Sequence, residues 1–345
     1  MSGGITQLVS QGIQDKVLVG DPQVSFFKTN YKRHTNFSQS VDRLIIKGNP
    51  APGVVSTVRL GRNGDMVNNM YMTVVSGTEA VERNWGNIID KVELLIGGQV
   101  IDTHEYNFTD YLAVDLLAQN LSKSFLGSHY TGGGTTNWFY PLRFFCCENW
   151  QSSLPLVALQ YHDVDVRITW TQNYDVANKI MFYANYVFLD NTERLKFSTK
   201  PQEMLIYQVQ KSVASNETVQ NLHFNHPVKF IAAKSGGATS SSTCQITFQI
   251  NGTEPVEKKY AKPHFTCVSS YYHAPFSTGN IDDYFLYSFC LDTSSLQPSG
   301  TLNFSRIDSA RFISDTAETF SSDFYAVNYN VLKIENGMGG ILYSD

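Results

Sequence analysis

The chain has 345 residues, room for two domains at roughly 100–200 residues each. Charged residues make up 17%, below the ordinary ~25%, while aromatics reach 13%; this balance suits an all-β protein whose surface is largely covered by partners. A net charge of −5 and a pI near 5.9 exclude a bulk nucleic-acid binder, which would be basic.

The N-terminal MSGGITQLVSQGIQDK has no basic region followed by an apolar run, so it does not read as a signal peptide. FFKTNYKRHTNF (26–37) then interleaves Phe26, Phe27 and Tyr31 with Lys28, Lys32, Arg33 and His34. Strand signals follow at VVSTVRL (54–60) and MVNNMYMTVV (66–75), with LGRNGD (60–65) between them reading as a hairpin turn. In DKVELLIGGQVIDTH, Gly97-Gly98 joins two apolar runs and predicts a two-residue hairpin with positive φ. YNFTDYLAVDLLAQNL (106–121) predicts a helix with Asn107 as N-cap, Asp110 at N3, and a Tyr106–Tyr111 staple. Leu112, Leu116, Leu117 and Leu121 supply its apolar stripe.

The Gly/Ser/Thr-rich stretches 127–137 and 234–244 read as flexible loops. Further strands are expected at VRITW (166–170), MFYANYVFLD (181–190), MLIYQVQ (204–210), CQITFQI (244–250), YFLYSFC (284–290), TLNFSRI (301–307) and YNVLKI (329–334). DNTERLKFSTKPQE (190–203), charged and proline-containing, marks the domain boundary. The pattern predicts two β-sandwiches of the jelly-roll kind.

No catalytic set, cofactor site or metal site is read from the chain. The five cysteines (146, 147, 244, 267, 290) have no CxxC spacing and read as buried thiols of a protein matured in a reducing compartment. His223 and His226 form an HxxH pair, but on a strand they point to opposite faces. Asp163 and Asp165 share a strand face and read as its solvated side, with Val164, Val166 and Ile168 inward. TGGGTT lacks the Lys-Ser/Thr of a phosphate loop. Six N-x-S/T sequons decide nothing, and the long uncharged stretch 263–281 is too polar for a membrane span.

Four ordered stretches carry a resemblance: residues 3–38, LPLVALQYHDVDVRI (154–168), QPSGTLNFSRIDSA (297–310) and YAVNYNVLKIENGMGGILYSD (325–345). Together the chain resembles the major capsid proteins of nucleocytoplasmic large DNA viruses, the double jelly-roll capsid family. The resemblance implies an N-terminal arm (1–25) and two tandem eight-stranded antiparallel jelly rolls (26–195 and 196–345), with a short helix in a loop of the first. It implies a homotrimeric capsomer of pseudo-sixfold outline, neighbouring capsomers in an icosahedral shell, and minor capsid proteins and an internal membrane beneath, with assembly in the host cytoplasm and no direct genome binding. Phe26 and Phe27 would anchor the arm at the capsomer base, while Lys28, Lys32 and Arg33 face subunits, minor proteins or acidic lipid. The family is commonly longer, so a plain outer crown is expected here, and a reduced accessory capsid protein is the near alternative. A carbohydrate-binding attachment protein, using loops at 129–140 and 269–280, is the more distant one.

Overall fold

The computed structural model describes residues 3–127, 137–174, 179–275 and 284–344. Residues up to Asn36 form one unit and Phe37 onward a second. Loop 127–137, with its TGGGTT, lies almost wholly outside the described residues, as do positions 276–280.

In the first half of the second unit the main strands are β1 (Phe37–Leu44), β2 (Val55–Leu60), β3 (Met66–Ser76), β4 (Ile89–Ile96), β5 (Gln99–Glu105), β6 (Phe139–Pro141), β7 (Val164–Trp170) and β8 (Lys179–Leu189). They build two antiparallel sheets, ordered β1–β8–β3–β6 and β2–β7–β4–β5. The second half supplies β9 (Gln202–Ser212), β10 (Val219–Asn221), β11 (Pro227–Lys234), β12 (Gln245–Ile250), β13 (Lys259–Tyr260), β14 (Tyr284–Ser288), β15 (Ala310–Ser314) and β16 (Phe324–Glu335). Their order is β9–β16–β11–β14 and β10–β15–β12–β13. Adding eight to each of these strands of the first half reproduces the order of the second. The chain is a double jelly roll.

Alternation explains why these segments fold as strands. In VDVRITW every second side chain is buried, and Val164, Val166 and Ile168 meet Met70, Met72 and Phe182 of the facing sheet in one core. The second core is aromatic: Phe248, Phe285, Phe312 and Phe324 pack ring against ring, with Phe285 and Phe312 centroids 5.3 Å apart. The Gly97-Gly98 hairpin forms as expected, with φ of 59° and 84° and Ile96 opposite Gln99.

Other expectations need correction. LGRNGD makes no hairpin, because β2 and β3 lie in opposite sheets; it is a corner whose Asp65 is buried. There Arg194 grips both carboxylate oxygens at 2.8 and 2.9 Å, and the Leu189 N–H donates to one of them. TLNFSRI yields only a two-residue strand, Leu302–Asn303; the Asn303 side chain then accepts the Ser305 N–H at 3.0 Å and starts a tight turn. The helix after β5 begins as a wide π turn (Phe108–Leu112) and continues as Ala113–Leu116. Asn107 is itself helical and caps nothing, while Asp110 is buried and accepts the Tyr106 hydroxyl at 2.8 Å. The staple holds, with the Tyr106 and Tyr111 rings edge to face at 6.4 Å, but Leu121 leaves the stripe and is exposed. The 234–244 segment is packed, not loose: Ala238 and Thr239 are buried, and the Thr239 hydroxyl accepts the Gly236 N–H at 3.0 Å. The boundary segment folds into a helix, Asn191–Thr199, that was not expected. Extended Asp190 before it, accepting the Thr192 hydroxyl at 2.7 Å, and Pro201 after it were the available signals.

The two halves are fused by an apolar seam. Phe108, Leu112, Leu116 and Leu117 from the first half pack with Phe230, Leu286, Tyr325 and Val327 from the second. Ile206, Leu332 and Ile334 join the first core in return. Polar contacts join the halves as well: the Val209 N–H donates to buried Asp102 at 2.9 Å, and at the rim Lys211 bridges Glu105 (2.7 Å) and Asp323 (2.9 Å). Asp102 also holds buried His104 at 2.8 Å, whose ring stacks on Phe144 at 4.8 Å.

Candidate assembly surfaces

The resemblance implies a protein that works through its surface, so the informative residues are apolar side chains that its own fold leaves in water. The first unit consists of such residues. Gly3–Val9 and Lys16–Val19 are short helices with no buried residue, and an irregular stretch with a turn at Phe26-Phe27 follows to Asn36. Ile13, Val17, Leu18 and Tyr31 are exposed, Phe26 is 94% exposed and Phe27 wholly so. Covering a Phe side chain is worth ~1.5–3 kcal/mol, so the pair Phe26 and Phe27 holds a large unspent binding energy. Lys28, Lys32 and Arg33 stand beside them in sequence and outnumber the acidic groups of the unit, Asp15 and Asp21. Cations interleaved with aromatics suit an acidic, partly apolar surface.

On the second unit, β1 is a sheet edge that pairs only with β8 among the described residues, and its Phe37 and Val41 are exposed. Trp138, Trp150, Tyr161 and Leu195 are exposed on the first half, and Tyr271, Tyr272 and Leu291 on the second. The sequence marks Trp138, Tyr271 and Tyr272 through the loops at 129–140 and 269–280. It does not mark Trp150 or Tyr161, since a lone aromatic between strands reads the same whether it packs inward or waits for a partner, nor Leu195, whose helix it does not predict.

The chemistry candidates resolve into structural roles. Asp163 and Asp165 both pair with Arg59, at 3.1 and 3.2 Å, while Val164, Val166 and Ile168 are buried as expected. That pairing raises the Arg59 pKa, with the Asp165 hydrogen bond the leading cause. His226 sits in the left-handed region at φ 63°, with its N–H donated to the Ser305 hydroxyl at 2.8 Å. Among the described residues no group of three or more His, Cys, Asp or Glu could hold a metal ion. The five cysteines are free thiols, four of them buried. Burial pushes the Cys290 thiol upward, away from reactivity. Among the described residues no helix is long and apolar enough to cross a membrane.

Residues 25–190 match the family described as "Major capsid protein N-terminus", and residues 234–340 the one described as "Large eukaryotic DNA virus major capsid protein". The chain is 32% identical to the major capsid protein of Pyramimonas orientalis virus over 404 aligned positions, with all of both chains covered. It is 31% identical to that of Paramecium bursaria Chlorella virus 1 over 447 positions, again covering both in full. These alignments are longer than the chain, so both relatives carry insertions that it lacks. Among solved structures, PBCV-1 VP54, a crystal structure fitted into a cryo-EM reconstruction of the virophage Sputnik, superposes with a TM-score of 0.76 at 26% identity, over 93% of this chain and 100% of that one. The Faustovirus major capsid protein shares the fold at a TM-score of 0.62 and 11% identity, over 96% of each. Two like-ordered jelly rolls, an uncovered apolar arm and these matches lead to one conclusion: the chain belongs to the major capsid proteins of large eukaryotic DNA viruses, with a structural role in the virion shell.

Proposed function

We propose that three copies of this chain close into a capsomer of pseudo-sixfold outline, which tiles the icosahedral shell as its main component and catalyses no reaction. The observation that carries this reading is the repeated strand order: two like rolls per chain, fused by an apolar seam, present six similar blocks in a ring of three. In this reading the functional parts are an arm (1–25), a first roll (26–195) and a second roll (196–345). The arm and the entry to the first roll, with Phe26, Phe27, Lys28, Lys32 and Arg33, fasten the capsomer to neighbouring capsomers, to minor capsid proteins and to an internal membrane below. Assembly takes place in the host cytoplasm, and the acidic chain leaves the genome alone. The relatives' insertions have no counterpart here, which supports a low outer crown.

Light scattering on the purified protein tests the central claim. A mass near three times 38.8 kDa, with hexagonal particles by electron microscopy, is the expected result. A monomer that stays monomeric at high concentration would exclude a self-sufficient trimer.

A further inference from the structure

The seam inside the chain covers a sheet face of the second roll that has a half-covered twin on the first. On the second roll, Ala232 of β11 pairs with Leu286 of β14 on one side and Tyr325 of β16 on the other. All three are buried, packed with Phe108 and Leu112 of the first roll. On the first roll the corresponding strands are β3, β6 and β8, where Tyr71 pairs with Pro141 and Tyr183. The core side of the sheets fixes this correspondence. Met72 pairs with Tyr140 and Phe182 there, as Ala233 pairs with Phe285 and Phe324 in the second roll. Tyr71, Pro141 and Tyr183 are only half-buried. The Tyr71 and Tyr183 rings stack at 5.2 Å, Phe139 meets Tyr71 edge-on at 6.3 Å, and a cavity of about 330 Å³ opens along Tyr71, Phe139 and Leu126.

The helix that does the covering has a twin too. Leu116 and Leu117 stand eleven and twelve residues beyond the end of β5 at Glu105, and both are buried in the seam. In the second roll β13 ends at Tyr260, and a kinked helical segment follows, Ala261–Val268 and Ser269–His273. Eleven and twelve residues beyond Tyr260 stand Tyr271 and Tyr272, 81% and 70% exposed, their rings edge to face at 5.0 Å. Leu291, 73% exposed, extends the patch, its carbonyl 3.2 Å from His273 Nδ1. Where the first roll spends its helix inside the chain, the second presents its own to water.

We propose that the seam within the chain is repeated between chains: Tyr271, Tyr272 and Leu291 of one copy pack on the Tyr71, Phe139 and Tyr183 face of the next. This rests on the capsomer reading, to which it gives a contact surface and a direction. The contact runs from second roll to first, head to tail, so copies add in one sense until a ring closes. Tyrosine rings in an apolar recess are the kind of group that dominates such interfaces.

The test uses the full-length chain in light scattering over a dilution series. Tyr271→Asp combined with Tyr272→Asp changes exposed side chains, so circular dichroism should show the wild-type fold, while the trimer should dissociate at least about a hundredfold more readily. Its mass should fall to 38.8 kDa at concentrations where wild type holds three times that. Independently, a photoreactive benzoylphenylalanine in place of Tyr271 should crosslink to another copy near Tyr71, Phe139 or Tyr183, as mapped by mass spectrometry. A wild-type monomer overturns the capsomer reading and this contact with it. A wild-type trimer whose double variant stays trimeric on equal dilution, or whose crosslinks fall elsewhere, overturns this contact alone and leaves the capsomer standing.

Discussion

Phe108→Ala tests whether the seam makes the two rolls one cooperative body. The Phe108 ring is wholly buried, with its centroid 5.2 Å from the His104 ring of its own roll and 5.6 Å from Tyr325 of the other. Truncating a buried Phe costs about 3–5 kcal/mol, because the transfer energy is lost and a cavity remains. Here the cavity opens between rolls, so the loss falls on their coupling. A roll of this size loses ~2–4 °C of Tm per kcal/mol, which predicts a fall of about 6–12 °C at the low end of that cost. The assay is differential scanning calorimetry at fixed protein concentration, since any self-association also shifts Tm. Wild type should melt in one transition and Phe108→Ala in two. Pairing it with Tyr325→Leu in a double-mutant cycle should return ~0.5–1.5 kcal/mol of ring–ring coupling. A fall under about 2 °C with a single transition, or zero coupling, would refute the fused-body reasoning.

Buried Lys229, whose ammonium donates to the Ser295 carbonyl at 2.8 Å, has its pKa lowered by burial to about 8 from 10.5. Below pH 8 both folded and unfolded chains hold the proton and the folded state bears the full penalty; between 8 and 10.5 the unfolded chain binds more protons, so stability rises with pH. Relative to Lys229→Met, wild type should therefore gain about 2 kcal/mol from pH 8 to 10 in urea titrations, the tyrosines cancelling in the comparison; a flat difference would contradict the depressed pKa. Gly97→Ala adds a Cβ at φ 59° that would lie 2.5 Å from His162 Nδ1, so a loss of at least ~1–2 kcal/mol is expected, measured by chemical denaturation. Phe26→Ser with Phe27→Ser removes rings that the chain does not bury. The Tm of the purified protein should hold while assembly into shells, read by electron microscopy, fails; normal shells would remove these rings from the fastening.

The strands were legible because a sandwich strand needs only a period-two pattern, which VDVRITW and QITFQI display without ambiguity. The hairpin was legible because only glycine sits easily at two successive positive φ angles. Strand order was not legible in the pattern itself, since LGRNGD looks the same whether it turns within a sheet or carries the chain across the core. The helix at 106–121 showed its stripe but not its cap, because the seam dictates the wide first turn and local propensity has no part in it. Leu112, Leu116 and Leu117 were read as core contacts; that their core belongs to the other roll depends on contacts more than 100 residues away.

The seam also has a consequence in time. Its donor, the apolar face of residues 108–117, is synthesised long before its cover, which ends with Tyr325 and Val327. At ~5–20 residues per second the ribosome needs on the order of 10–40 s to supply the missing strands. For that interval every nascent chain carries a sticky, unfinished surface, and a polysome holds several such chains side by side. The joint that stiffens the finished chain is therefore its most hazardous surface during birth, and a first half released early, by truncation or a stalled ribosome, should aggregate through it.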